Sequence, residues 1–208
     1  MKETVESVFI VDDDEAVLDS LRVFLEASGF AVKTYASPES FLDDYHVELR
    51  GCVLLDIQMP TMSGLGLQED LVAIGSVLPI IFMTGHADVP TAVQALKAGA
   101  FDFIQKPFDN GRLLELVARA FEVNRQDRQV LEQQQRIKAR LQTLTPRETE
   151  VLDYIINGKA SKVIASELNL SQRTVEIYRA NVMQKMQARS VAQLVRSISE
   201  FSIDPDVA

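Results

Sequence analysis

Residues 8 to 14 read Val8-Phe9-Ile10-Val11-Asp12-Asp13-Asp14, a short apolar run that stops abruptly at acidic residues. Similar strand candidates recur along the first part of the chain, and each ends at a polar side chain. These are Cys52-Val53-Leu54-Leu55 before Asp56, Pro79-Ile80-Ile81-Phe82-Met83 before Thr84, and Phe101 to Gln105 before Lys106; Ala31 to Tyr35 is a further candidate. Runs that are apolar at successive positions are typical of parallel strands buried on both faces.

Helical patterns separate these strand candidates. Apolar residues recur at helical spacing in the first of them, which ends at Gly29: Val17, Leu18, Leu21, Phe24 and Leu25. Ser37-Pro38 is suited to start a second helix, Ala92 to Ala98 forms another before Gly99, and a last one begins near Asp109. We therefore predict an α/β fold, a doubly wound five-stranded parallel sheet with helices on both faces.

The polar residues that follow the strands form the candidate functional site. Ligands of such sheets bind beyond the carboxyl ends of the strands. The residues placed there are Asp12, Asp13, Asp56, Thr84 and Lys106. Carboxylates at close range repel one another, and Mg²⁺, which prefers oxygen ligands and also binds phosphate, relieves that repulsion. With an ammonium and a hydroxyl nearby, a carboxylate there could accept a phosphoryl group.

Each of these residues also has a purely structural interpretation. An acid after a strand often caps the following helix, as Asp14 is placed to do, and Lys106-Pro107 is also a common kind of turn. The combination of all these residues at the ends of four strands favours a functional site over chance.

Composition and charge divide the chain of 208 residues into unlike parts. Residues 1–124 carry 8 basic and 20 acidic residues, whereas residues 125–208 carry 13 and 10, which predicts two domains with different partners. The single cysteine, Cys52, excludes a disulfide framework. No apolar run approaches the ~20 residues that span a bilayer. With a polar N-terminus that lacks a signal-peptide pattern, these features predict a cytoplasmic protein without membrane contact.

The segment between the two parts is predicted to be a helical linker over residues 125–143. Leu116, Val123, Val130, Ile137 and Leu144 are spaced by sevens, which is compatible with a coiled coil. Asp127 and Gln134 occupy the complementary core positions, so a solvated linker is an equal alternative.

The second part is predicted to be a small all-α domain over residues 144–202. Thr145-Pro146-Arg147-Glu148 fits a capping box, and a second helix runs from Ser161 to Leu168 with Val163, Ile164 and Leu168 inward. Asn169-Leu170 forms a turn, and Ser171 caps a third helix whose apolar stripe includes Val175, Val182, Met186 and either Tyr178 or Ile177. A fourth helix runs from Ser190 to Ile198. Two short helices joined by a tight turn indicate a helix-turn-helix.

The third helix is the candidate DNA reader. With one residue of the preceding helix, its candidate DNA contacts are Lys162, Arg173, Thr174, Glu176, Ile177, Arg179, Asn181 and Lys185. Arg and Lys suit phosphates, and the polar side chains suit phosphates or base edges. A helical bundle with a purely structural role is the alternative.

Several motifs of the first part resemble the signature set of receiver domains, over about residues 5–124. They are Val11-Asp12-Asp13-Asp14, Leu55 to Gly64, Met83-Thr84-Gly85-His86 and Lys106-Pro107-Phe108. The resemblance implies the flavodoxin-like receiver fold, with Asp56 as the phosphoacceptor. It implies Mg²⁺ bound by Asp12, Asp13, Asp56 and the backbone carbonyl of Gln58. Lys106 then contacts the phosphoryl group, Thr84 and Phe103 form a switch pair, and Pro107 follows a cis peptide bond.

The second part resembles the LuxR-type helix-turn-helix. The motifs are Leu144 to Leu152, Ile164 to Leu168 and Ser171 to Glu176. A receiver joined to this domain is similar to two-component response regulators of the NarL/FixJ class, and most similar to the FixJ branch. Phe103 stands where many relatives have Tyr, and because Phe has no hydroxyl, any switch here works by ring packing alone. In the second part, Tyr178 stands where relatives often have His and Glu176 where some have Lys, so a borrowed base preference is in doubt.

The resemblance implies a phosphorylation-controlled transcriptional regulator. A sensor histidine kinase phosphorylates Asp56, and phosphorylation switches homodimerisation and binding to promoter DNA. The protein would then be no enzyme beyond its own phosphorylation and dephosphorylation.

Two other classes of function remain open from the residues alone. A haloacid-dehalogenase-like phosphatase also uses an Asp nucleophile with Mg²⁺ and Lys, although Gln58 stands where such enzymes usually carry a second acid. A regulator whose helical domain binds only proteins is the other.

Overall fold

The computed structural model describes residues 5–85, 93 and 95–201. The chain forms two compact units that divide between Arg128 and Gln129. Each unit has its own hydrophobic core. No helix among the described residues combines the length and the apolar character needed to cross a membrane.

The first unit is built on a five-stranded parallel sheet in the order β2-β1-β3-β4-β5. The strands are β1 Ser7–Val11, β2 Ala31–Tyr35, β3 Gly51–Asp56, β4 Ile80–Thr84 and β5 Asp102–Gln105. The order reverses at β1, so crossovers lie on both faces, and the predicted doubly wound fold is confirmed. The register pairs Val11 with Leu55 and Asp56 with Met83, which brings the carboxyl ends of β1, β3 and β4 to one edge.

The helices of this unit are α1 Glu15–Ala27, α2 Pro38–Asp44, α3 Gly64–Ala73 and the long α4 Asn110–Leu141. Asp14 is the N-cap of α1, and Ser37 caps α2. The helix predicted from Ala92 to Ala98 falls partly outside the described residues. Its described end is helical at residues 95–97 and stops at Gly99, whose φ of 95° favours glycine.

The core of this unit lies on both faces of the sheet. Val8 and Ile10 of β1 face a cluster with α1 and α4, whereas Phe9 and Val11 face a second cluster with α2 and α3. Because both faces are covered, every residue of β1, β3 and β4 is buried. This double burial is the physical reason for the continuous apolar runs in the sequence.

The second unit contains the last part of α4, from Gln129 onward, and a set of shorter helices. They are α5 Pro146–Ile156, α6 Ser161–Glu167, α7 Gln172–Lys185 and α8 Val191–Phe201. Ile137 of α4 is buried in the core of this unit with Val151, Val175 and Leu194. The predicted capping box is confirmed, because the Thr145 side chain and the Glu148 carboxylate accept from each other's backbone N–H groups.

One sequence prediction about this core needs correction, and one alternative that the sequence left open is decided. Val163, expected inward, is 40% exposed, because Ile164 and Ala165 occupy the inner face of this short helix. Between Ile177 and Tyr178, the side chain that packs against the core is Tyr178, whereas Ile177 is 56% exposed.

Candidate functional site

Two carboxylates and one ammonium meet at the carboxyl edge of the sheet. Lys106 Nζ donates to Asp12 Oδ2 and to Asp56 Oδ1, both at 2.7 Å. Asp12 follows β1, Asp56 is the last residue of β3, and Lys106 follows β5. Asp12 is 1% exposed and Asp56 is 9% exposed, so these charges interact with little screening by water.

Backbone N–H groups hold the two carboxylates in place, and a backbone hydrogen bond fixes the main chain at Lys106. Asp12 Oδ1 accepts from the Asp14 N–H at 3.0 Å, and Asp56 Oδ2 accepts from the Gln58 N–H at 2.7 Å. The Lys106 N–H donates to the Thr84 carbonyl at 2.7 Å, and the following Lys106-Pro107 bond is cis, as predicted. The site is therefore preorganised by the strand ends and the first residues of the loops.

Burial and charge shift the ionisation of this group. Burial raises the pKa of Asp56, the Asp12 carboxylate adds to this, and Lys106 with the Gln58 N–H offsets only part of it. Burial by itself lowers the pKa of Lys106, but the hydrogen bonds to Asp12 and Asp56 outweigh it and the net shift is upward. Lys106 therefore remains a fixed positive charge beside two acids.

The side chains of the remaining predicted receiver residues differ in burial and in partners. The Thr84 side chain is buried, and its hydroxyl donates to the Gly85 carbonyl at 2.8 Å. The half-buried ring of Phe103 packs against the core cluster under α2 and α3. Asp13 and Gln58 are exposed. The structure thus brings together three of the predicted side chains, Asp12, Asp56 and Lys106.

The oxygen atoms around this site are of the kind that binds Mg²⁺. Mg²⁺ is usually held by one or two carboxylates and keeps several waters. Here Asp12 and Asp56 offer two buried carboxylates. The exposed Asp13 and the exposed Gln58, which lies on the loop after β3, offer further oxygens. Over the described ranges, no group of three or more His, Cys, Asp or Glu residues stands ready as a metal cage.

Gly64 supports the site in a way that the sequence analysis did not recognise. Its N–H donates to the Ile57 carbonyl at 3.0 Å, and a Cβ added here would lie 2.2 Å from the Asp56 carbonyl oxygen. Only glycine therefore lets the first turn of α3 approach the end of β3. The sequence feature that could have indicated this role is the glycine directly after Ser63, the N-cap of α3.

An apolar groove opens beside the three charged groups. It has a volume of about 440 Å³ and is lined by α1 and the loop after β5: Ala16, Val17, Ser20, Leu21, Phe24, Lys106, Pro107, Phe108 and Asn110. Because Lys106 belongs both to the groove and to the charged group, an occupant of the groove would lie next to Asp56.

In the second unit, α6 and α7 form the helix-turn-helix. Asn169 lies in the turn between them with a φ of 55°, a conformation that Asn tolerates better than most residues. Of the predicted DNA contacts, Lys162, Arg173, Glu176 and Ile177 are exposed, and Thr174, Arg179, Asn181 and Lys185 are half-buried.

Some of these side chains have partners within the unit. The Ser171 and Thr174 hydroxyls are 2.8 Å apart, and Gln172 Nε2 donates to Glu176 Oε1 at 3.3 Å. Lys185 Nζ donates to Glu148 Oε2 at 2.6 Å and to the Thr143 carbonyl at 3.0 Å. The Lys185 ammonium is therefore held inside the unit, unlike the exposed Arg173.

Two family models match the chain, one for each unit. The model described as "Response regulator receiver domain" matches residues 8–118. The model described as "Bacterial regulatory proteins, luxR family" matches residues 142–198.

Known proteins are similar to the chain over almost its whole length. Transcriptional regulatory protein FixJ of Azorhizobium caulinodans is 45% identical over 193 residues, which cover 91% of this chain and 90% of that protein. Response regulator protein TodT of Pseudomonas putida is 39% identical and covers 94% of this chain and 86% of its own length. The solved structure of response regulator StyR is 41% identical, has a TM-score of 0.84, and covers 94% of this chain and 99% of its own. Full-length FixJ from B. japonicum is 40% identical, covers 96% and 98%, and has a TM-score of 0.59.

Proposed function

The chain belongs to the response regulators that join a receiver domain to a LuxR-type DNA-binding domain, and we propose that Asp56 is the residue that accepts the phosphoryl group. The protein is a phosphorylation-dependent transcriptional regulator of a two-component system, with a histidine kinase and DNA as its partners. In the proposed domain boundaries, the receiver covers residues 5–124, the linker 125–143 and the DNA-binding domain 144–202.

The observation that carries the assignment of Asp56 is its pairing with Lys106 at 2.7 Å beside Asp12. Asp56 has one oxygen bound by Lys106 and the other by the Gln58 N–H, so the carboxylate is oriented. Its pKa is raised by burial, which makes it a more basic, stronger nucleophile than an exposed carboxylate.

The proposed transfer forms one bond and breaks one bond. A carboxylate oxygen of Asp56 attacks the phosphorus of the kinase phosphohistidine, and the P–N bond breaks with its electron pair going to the imidazole nitrogen. During the transfer, the Lys106 ammonium exchanges its hydrogen bond to Asp56 for one to a phosphoryl oxygen, where it stabilises the negative charge. Hydrolysis of the resulting acyl phosphate by water restores Asp56. These two reactions at Asp56 are the only chemistry that we assign to the protein.

Receiver domains of this family generally bind Mg²⁺ for phosphorylation. We assign the ligands to Asp12, Asp13, Asp56 and the Gln58 carbonyl, because these oxygens share the edge of the sheet that carries Lys106. When bound, the ion neutralises charge on the phosphoryl oxygens.

The kinase is proposed to bind in the apolar groove between α1 and the loop after β5. A kinase segment with an apolar face and a histidine at its edge would cover the partly exposed Val17 and Phe24 and bring that histidine to Asp56. Phosphoryl oxygens then draw the Thr84 hydroxyl away from the Gly85 carbonyl, and Phe103 fills the space that Thr84 leaves. Homodimerisation is the proposed result of this rearrangement.

DNA recognition is assigned to the exposed residues of α7 and to Lys162. Arg173 and Lys162 suit phosphates, whereas Glu176 and Ile177 suit base edges and thymine methyl groups. Because its target is promoter DNA, we place the protein in the cytoplasm.

The test is retention of random DNA duplexes at fixed salt, with and without Mg²⁺ and acetyl phosphate, for the wild type and Asp56→Asn. The proposal expects a sequence to be enriched after phosphorylation, and Asp56→Asn to lose this enrichment. Equal enrichment in every condition would support DNA binding but show that Asp56 does not control it. No enrichment in any condition would favour a regulator that binds only proteins, and release of phosphate from a small phosphoester would favour the phosphatase alternative.

A further inference from the structure

The C-terminal end of the recognition helix α7 is held by two cationic side chains and one carboxylate, which we call the α7 clamp: Arg140, Glu148 and Lys185. Lys185 Nζ donates to Glu148 Oε2 at 2.6 Å. Arg140, on α4, donates from Nη1 to the Met186 carbonyl at 3.3 Å and from Nη2 to Gln187 Oε1 at 2.6 Å. The clamp therefore joins the end of α4, the start of α5 and the end of α7 at one place.

The Glu148 carboxylate is the centre of the clamp. Its side chain is only 4% exposed, and its Oε2 accepts from both Lys185 and the Thr145 N–H. The hydrogen bond from Lys185, helped by the Thr145 N–H, lowers the pKa of Glu148 to about 2. A buried carboxylate that loses its cation is costly, so the structure favours the paired arrangement strongly.

The place of Lys185 on α7 separates it from the DNA-reading residues. Arg173 and Ile177 are exposed on the first turns of the helix, whereas Lys185 is its last residue and is 34% exposed by side chain. At 1.5 Å per residue, Lys185 lies roughly 18 Å along the helix axis from Arg173. A small tilt of α7 at the clamp would thus be amplified at the residues that face the bases.

We propose that Arg140, Glu148 and Lys185 are positioning residues that set the orientation of α7 for sequence reading, and that Lys185 makes no phosphate contact. This inference rests on the proposed DNA binding of the second unit and replaces the sequence-based expectation that Lys185 touches DNA. It also gives the end of α4 a direct role, because Arg140 binds Met186 and Gln187, the C-cap of α7 and the residue after it.

The experiment uses the full chain, treated with acetyl phosphate and Mg²⁺, and two duplexes. One is the duplex that the wild type enriches most from a random pool, and the other is a scrambled duplex of the same length and composition. Affinities for both are measured over a series of salt concentrations. The variants are Lys185→Gln, Lys185→Arg, Glu148→Gln and Arg140→Gln, with Arg173→Gln as the matched exposed cation on α7.

The clamp predicts that Lys185→Gln and Arg140→Gln bind the enriched duplex about tenfold more weakly, which is about 1.4 kcal/mol. Their affinity for the scrambled duplex and their salt dependence should stay at the wild-type values, and Lys185→Arg should restore the enriched-duplex affinity. Arg173→Gln should instead reduce the slope of log affinity against log salt by about 0.9, the value for one phosphate contact.

Three results would overturn the proposal. A reduced salt slope for Lys185→Gln would make Lys185 a phosphate contact. An equal loss on both duplexes would indicate simple destabilisation, because an unfolded fraction lowers both affinities alike. Unchanged affinities would leave the clamp without a role. If Glu148→Gln does not fold, judged by far-UV circular dichroism, Lys185→Gln and Arg140→Gln still decide among these results. A wild type that enriches no duplex would refute the proposed DNA binding itself.

Discussion

Asn124 on α4 and Gly51 at the start of β3 are joined by a hydrogen bond, although 73 residues separate them. Asn124 Oδ1 accepts from the Gly51 N–H at 3.0 Å, and its Nδ2 donates to the Val77 carbonyl at 2.7 Å. The Asn124 side chain is buried at the edge of the sheet opposite Asp56, and it ties α4 to the first residue of β3 and to the segment before β4. α4 is therefore fixed to the sheet by the hydrogen bonds of Asn124 as well as by its apolar face.

Asn124→Ala is expected to destabilise the first unit by about 1–3 kcal/mol, because the buried Gly51 N–H and the half-buried Val77 carbonyl lose their partner. The measurement is urea unfolding, monitored through the reaction of Cys52 with a thiol reagent. Gln126→Ala, an exposed change on the same helix, serves as the control and should stay within about 0.5 kcal/mol of the wild type. Equal stability of Asn124→Ala and the control would show that the two hydrogen bonds contribute nothing.

Cys52 itself should not react with thiol reagents in the folded protein. It is the only cysteine of the chain, it is fully buried in β3, and burial raises its pKa far above the ordinary value. Its labelling rate at neutral pH should follow the opening of the first unit and rise with urea. Rapid labelling without urea would mean that β3 is accessible in the native state.

Gly64→Ala should reduce both stability and phosphorylation, because the new methyl group meets the backbone oxygen of Asp56 at 2.2 Å. Relieving this contact displaces either α3 or the end of β3, at a cost of about 1–3 kcal/mol. Gly66→Ala is the matched control on the same helix. Its added Cβ would meet the flexible Met62 side chain at 3.1 Å, so it should be neutral or slightly stabilising. Thermal unfolding and acetyl-phosphate labelling of both variants provide the comparison, and equal behaviour of the two would contradict the steric argument.

Lys106→Met should slow phosphorylation by acetyl phosphate about 10²-fold or more, since a preorganised cation at the developing charge is lost. Mass spectrometry of the intact protein gives the rate from the gain of one phosphoryl group. Lys97→Met, which removes an exposed lysine of the same unit, should phosphorylate at the wild-type rate. A normal rate for Lys106→Met would remove Lys106 from the proposed mechanism.

Glu148 should make the second unit sensitive to acid. Its folded-state pKa of about 2 lies below the ordinary value of 4.5, so its stabilisation is complete above about pH 4.5 and is lost as the pH falls toward 2. In Glu148→Gln this part of the pH dependence should disappear. Thermal unfolding by circular dichroism between pH 6 and pH 3 tests this, with the more exposed Glu150→Gln as control. Parallel pH profiles for wild type and Glu148→Gln would contradict the prediction.

The elements were predictable from the sequence because their causes are local. The apolar runs of β1, β3 and β4 follow from burial on both faces, and Thr145 with Glu148 builds a cap within a single turn. The group of Asp12, Asp56 and Lys106 was predictable as a neighbourhood, since parallel strands bring their carboxyl ends to one edge. The choice between Ile177 and Tyr178 was not, because these adjacent residues both lie near the boundary of the buried face.

The sequence by itself determined the order of strands and helices, the caps and the kind of chemistry at the sheet edge, since these depend on residues close in the chain or on a general rule of topology. Tertiary structure alone decided which long-range partners each polar side chain takes. Lys106 reaches Asp12 across 94 residues, Asn124 reaches Gly51 across 73, and Lys185 turns to Glu148 across 37. Such pairings depend on how separate helices and strands dock against each other, and helical or strand periodicity carries no information about that docking.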